Sequence, residues 1–185
     1  MDRIQHNYVD IRVKLHIPEI ETFCSSRGPT VVLFLHGFPE IWYSWRHRMI
    51  AVANAGYRAI APDLMGYGLS EHHPQPERAS FIDFVEDTLA ILDSFQIDKA
   101  SLVGKDFGSW PVYLLPLLHP TRVSGIVSLG VPFFPPSPNR YQELPEGFYI
   151  SGGRNLEELG QILIDLMSKL SGKISIFCSP EMKFP

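Results

Sequence analysis

Gly104-Lys105-Asp106-Phe107-Gly108, directly after the apolar run Ala100-Ser101-Leu102-Val103, puts a carboxylate where a sharp strand-to-helix turn can carry a nucleophile. In a G-x-S-x-G turn the flanking glycines let the backbone pack closely enough to hold the central side chain on a strained elbow. Here Asp106 stands where that pattern has serine. A carboxylate is nucleophilic without a base, and its attack on an sp³ carbon leaves an alkyl ester on the protein.

A second segment upstream gives the elbow its context. Val31-Val32-Leu33-Phe34-Leu35 is a short, continuous apolar run rich in β-formers, as expected of a strand buried on both faces. His36-Gly37-Phe38-Pro39-Glu40 follows at once. In serine elbows one oxyanion N–H comes from the loop after such a strand, and the other from the residue after the nucleophile. Those donors are here Phe38 and Phe107, with Gly37, Pro39, Gly104 and Gly108 shaping the turns. His36 is read as a brace for this loop, not as a proton carrier. Each segment alone could be an ordinary turn; both together, in this order and each behind a buried strand, favour chemistry.

The elements that must position them follow from the pattern. Tyr8 to Ile17 alternates, with Val9, Ile11, Val13, Leu15 and Ile17 on one face and Asp10, Arg12, Lys14 and His16 on the other, which predicts one half-exposed antiparallel strand. Arg27-Gly28-Pro29 is turn chemistry. A helix is predicted from Tyr43 to Ala55, closed by Gly56 at C′, then a strand from Tyr57 to Pro62. Ser80 opens a helix with Asp83 as its capping-box partner. The helix after the elbow reaches Leu118, and Pro116 is expected to kink or break it. Val123 to Gly130 is another strand. Strands alternating with helices predict a largely parallel, doubly wound sheet.

Composition narrows the class. The chain has 185 residues, 45% hydrophobic and 19% charged, a soluble globular balance. A net charge of −4 and no run of like charges argue against a nucleic-acid surface or a polybasic membrane patch. Cys24 and Cys178 are the only cysteines, without metal spacing, so no metal or disulfide framework is expected. The start lacks an apolar signal region and no segment is long enough to span a membrane, which favours the cytosol. His6, His47, His72 and His73 read as surface, and His119 as a helix end. Asp63 reads as a loop-ordering acceptor, and Trp42, Trp45 and Trp110 as packing or pocket wall.

These motifs, with Tyr57 to Leu64, Gly66-Tyr67-Gly68, His119-Pro120, Val131-Pro132-Phe133 and Pro145 to Ser151, resemble the N-terminal part of a plant-type soluble epoxide hydrolase of the α/β-hydrolase fold. The resemblance runs from about Ile4 to Ser151, with Met65 where the family commonly has Arg. It implies opening of small-molecule epoxides to vicinal diols, without cofactor or metal. Asp106 would be the nucleophile and Tyr149 a lid tyrosine donating a proton to the opening ring. It also implies three segments: hydrolase core over 1–132, start of a lid over 133–151, and a divergent tail over 152–185.

The family's water-activating histidine, its orienting acid and the second lid tyrosine have no counterpart here. No histidine follows His119. The expectation is therefore a truncated fold lacking its C-terminal strands and incomplete for turnover. The tail reads as an out-of-frame translation: with permissive codons, restoring one A after Ser151 gives SRWQEPGRAGA, resembling the family's continuation. The competing reading is an amphipathic helix through Leu156, Leu159, Leu163 and Leu170. Two other functions are weighed. A haloalkane dehalogenase shares the Asp nucleophile but needs halide-binding indole donors, and Phe107 has no ring N–H. A non-catalytic truncated binding protein is the other. Oligomeric state and the particular epoxide are open.

Overall fold

The computed structural model describes residues 3–20 and 30–130. Tyr149, Cys24, Cys178, the turn at Arg27-Gly28-Pro29, the expected lid start and the tail lie outside the described residues. Among these described residues six strands form one sheet: β1 (Gln5–Asp10), β2 (Lys14–Ile20), β3 (Val31–Leu35), β4 (Arg58–Ile60), β5 (Ala100–Lys105) and β6 (Val123–Leu129). Their order is β1-β2-β4-β3-β5-β6. β4, β3, β5 and β6 run parallel, and β1 and β2 add an antiparallel edge. This is the mostly parallel sheet that the alternating pattern implies.

The N-terminal segment departs from its pattern. The single strand expected over Tyr8 to Ile17 is two strands of a hairpin, with Val9 opposite Leu15 and Asp10 opposite Lys14. The period of two continues through the turn, so alternation alone could not reveal it. Ile11 falls at the bend and is exposed, while His16, assigned to the polar face, is 1% exposed. Arg12 at this bend pairs with Asp83, Glu86 and Asp87 of the helix after residue 80, pinning the hairpin to it.

Among the described residues three α-helices flank the sheet: α1 (Arg46–Asn54), α2 (Phe81–Ser94) and α3 (Ser109–Leu118). The helix expected from Tyr43 begins instead as a 3₁₀ turn over Trp42–Trp45. Met49 and Ala53 of α1, with Trp45, pack on Ile20, Phe34, Ala59 and Ala61. Burial of side chains such as Met49 and Phe34 stabilises by roughly 1.5–3 kcal/mol each. Val103 joins this cluster, whereas its neighbour Gly104 faces Val112 of α3. Successive strand residues point to opposite faces, so α1 and α3 cover the two sides of the sheet.

Local signals end these helices in two ways. After α1, Gly56 (φ +92°) donates to the Ala53 carbonyl and Tyr57 to Val52, a Schellman closure at the glycine expected there. After α2 the same closure occurs at Gln96 (φ +54°), with bonds to Asp93 and Leu92. The α2 start carries its capping pair: the Asp83 carboxylate accepts the Ser80 amide at 2.7 Å and hydroxyl at 2.9 Å. α3 continues through Pro116 to Leu118. The expected break does not occur; Pro116 costs the helix one backbone bond, near its C-terminal end.

Candidate active site

β3 and β5 are adjacent and parallel, with Leu35 opposite Gly104. The loops leaving their C-terminal ends, His36–Ile41 and Lys105–Gly108, therefore meet, where open α/β sheets bind ligands. Asp106 has φ +50° at this junction, one of two non-glycine residues with positive φ among those described. Such left-handed backbone costs an L-residue about 1–2 kcal/mol and needs support from its surroundings. The flanking glycines supply the space. A Cβ on Gly104 would lie 2.3 Å from the Gly108 carbonyl oxygen, and one on Gly108 would lie 2.3 Å from that of Leu35.

The first loop closes over the carboxylate. The Phe38 N–H donates to Asp106 Oδ2 at 3.0 Å. Gly37 lets the loop approach, since a Cβ there would sit 2.5 Å from the Asp106 Cβ. Phe38 and Pro39 are joined by a cis peptide bond, and the Glu40 N–H turns back to the Gly37 carbonyl at 3.0 Å. An ion pair between Glu40 and Lys105 ties the two loops together beside Asp106.

His36 is fully buried and uses both ring nitrogens on backbone. The Leu64 N–H donates to Nε2 at 2.9 Å, so the proton resides on Nδ1, which donates to the Gly37 carbonyl at 2.9 Å. Burial holds the His36 pKa below the usual histidine range, against the opposing pull of the Gly37 carbonyl and the charges of Asp63 and Glu40. The unfolded chain therefore binds a proton that the folded chain refuses. The His36 contribution is complete above about pH 6.5 and is lost as pH falls toward the depressed folded value. The urea midpoint is expected to drop between about pH 7 and pH 5, and His36→Gln, uncharged throughout, to remove that share of the slope.

The fold brings further residues to this place. Asp63 is 1% exposed and orders two loops, accepting the Trp42 N–H at 2.9 Å and the Leu69 N–H at 3.0 Å. His16 Nδ1 lies 2.9 Å from the same carboxylate, a partner the strand pattern had turned to solvent. Tyr67 was not singled out in the sequence. Burial pushes its phenol up, the Asp106 charge adds to the shift, and its ring meets His36 edge-on at 5.2 Å. Only its place in Gly66-Tyr67-Gly68, a loop at a strand end, could have pointed to it. Next to the elbow, Phe107 stands between Phe38 (6.5 Å, edge-on) and Phe81 (6.0 Å, stacked), and Phe81 stacks on Trp110 at 5.2 Å.

Of the remaining histidines, His47 and His72 are exposed, while His73 is half-buried and accepts the Gln75 N–H at 2.9 Å. His6 is exposed, yet its ring meets buried His16. Among the described residues no group of three His, Cys, Asp or Glu is placed to hold a metal ion. No described helix is long and apolar enough to cross a membrane.

A mostly parallel sheet of this order with a sharp elbow after β5 is the arrangement expected of the α/β-hydrolase fold, and comparison with known proteins agrees. The profile of the alpha/beta hydrolase fold matches residues 30–158, and the chain belongs to that family. It is 42% identical over 139 residues to epoxide hydrolase 3 of Siraitia grosvenorii, covering 75% of this chain and 42% of that protein. It is 45% identical over 107 residues to epoxide hydrolase B of Mycobacterium tuberculosis, covering 58% of this chain and 30% of that protein. The crystal structure of an epoxide hydrolase from Vigna radiata superposes with a TM-score of 0.69 at 39% identity, over 75% of this chain and 42% of that one. The chain thus spans about two fifths of the length of the plant relatives it matches.

Proposed function

We propose that Asp106 opens epoxides by forming an alkyl ester, the first half of their hydrolysis to vicinal diols. The carboxylate oxygen attacks one ring carbon, the C–O bond to that carbon breaks, and the released alkoxide takes a proton. Tyr149 is the proposed donor of that proton. The observation that carries this reading is the Phe38 N–H, 3.0 Å from Asp106 Oδ2 on a backbone strained to φ +50°. That amide orients the carboxylate for attack and, with the Phe107 amide, would hold the oxyanion when the ester is cleaved. The aromatic strip of Phe38, Phe107, Phe81 and Trp110 offers apolar contact for the epoxide substituent.

The second half needs a base to activate water. His36, in the loop that touches Asp106, has both nitrogens committed to backbone, and no histidine follows His119. The 185-residue chain is therefore proposed to stall as the ester. The segments proposed for it are a core over 1–132, a lid start over 133–151 and a divergent tail over 152–185, in a cytoplasmic setting suited to a chain in which no disulfide framework is expected. Incubated with styrene oxide, the purified chain should accumulate close to one equivalent of adduct with diol formation at the uncatalysed rate. Sustained diol production would show that a base is present and overturn the stalled-ester reading.

A further inference from the structure

His6, His16 and Asp63 form a line from the surface to the loop that carries the Phe38 amide. Asp63 Oδ2 lies 2.9 Å from His16 Nδ1, and His16 Nε2 lies 2.9 Å from His6 Nδ1. The two rings are within 9° of parallel. His16 and Asp63 are each 1% exposed, whereas His6 is exposed. The loop of residues 36–42 is gripped at both ends from this line. The Asp63 carboxylate takes the Trp42 N–H, and the Leu64 N–H takes His36. Phe38 lies between the two grips.

We propose that His6 and His16 are positioning residues for Phe38, acting through Asp63, and that their contact works by sharing a single proton. An ionised Asp63 requires a proton on His16 Nδ1, which leaves Nε2 as an acceptor. His6 must then carry its proton on Nδ1 and present Nε2 outward. With both rings charged, two N–H groups would face each other across this contact and break it. Tyr8 and Trp42 flank the pair, and the Lys14 ammonium, the charged group beside them, lies over the Tyr8 ring at 4.9 Å.

The rate arm of the test rests on Asp106 as nucleophile; the nitrogen arm does not. Ester formation with styrene oxide is followed by intact mass for the wild type, His6→Gln and His6→Phe between about pH 8 and pH 5, where histidines charge. A glutamine amide can donate to neutral His16 or, flipped, accept from the charged ring, so it pairs with either state. The wild-type rate is expected to fall about fivefold when both rings charge, one hydrogen bond's worth. His6→Gln should lack that step, and His6→Phe should be low throughout. Ring ¹⁵N shifts at neutral pH should place the His6 proton on Nδ1. Identical profiles for wild type and His6→Gln, or a His6 proton on Nε2, would overturn the proposal. If no epoxide labels Asp106 at any pH, the nucleophile reading and the positioning claim both fall, while the nitrogen shifts still decide the shared proton.

Discussion

Asp106→Ala is expected to take up no epoxide-derived mass under conditions that label the parent chain to one equivalent. The loss should exceed about a hundredfold, because the substitution removes the atom proposed to form the bond. Glu40 is the acid joined to this site by a loop contact, and it is engaged by Lys105. The change should also be well tolerated by the fold. It removes the group that receives the Phe38 N–H, but the loop keeps its grips at His36 and Trp42. A variant that stays folded, with an unfolding free energy from urea titration within about 1 kcal/mol of the parent's, and still labels would show that the ester forms elsewhere.

Gly108→Ala is the expected structural counterpart. The new methyl would have to occupy space 2.3 Å from the Leu35 carbonyl oxygen and 2.5 Å from that of His36. Both are backbone atoms at the end of a central strand, so no side chain can swing aside. Overpacking of a well-packed core costs about 1–3 kcal/mol, and where the clash is with backbone the cost should reach or pass the top of that range. Most of the folded population of a marginally stable chain is then at risk. Thermal melts and soluble yield measure it; a melting temperature equal to the parent's would mean that the elbow is not this tight.

The elbow was legible because its chemistry needs unusual residues. Glycines flanking an acid behind an apolar strand have few other uses, and the His36-Gly37-Phe38-Pro39 loop behind the neighbouring strand is nearly as distinctive. Gly56 and Ser80 marked helix ends for similarly local reasons. What stayed hidden depended on distant partners. His16 looked polar and outward because alternation passes through a hairpin bend unbroken; its burial is set by Asp63, 47 residues on. Gln96 takes a left-handed conformation that its residue type does not advertise, held by the hydrogen bonds of Leu92 and Asp93. Tyr67 becomes noticeable only once β4 lies beside β3 and brings its loop to His36.

The most direct measurement is a peptide map of the chain after reaction with styrene oxide, followed by hydroxylamine. The expected result is a single adduct on the peptide containing Asp106, released by hydroxylamine as an ester must be. An adduct confined to Cys24, Cys178 or a histidine, stable to hydroxylamine and with the Asp106 peptide unmodified, would contradict the account.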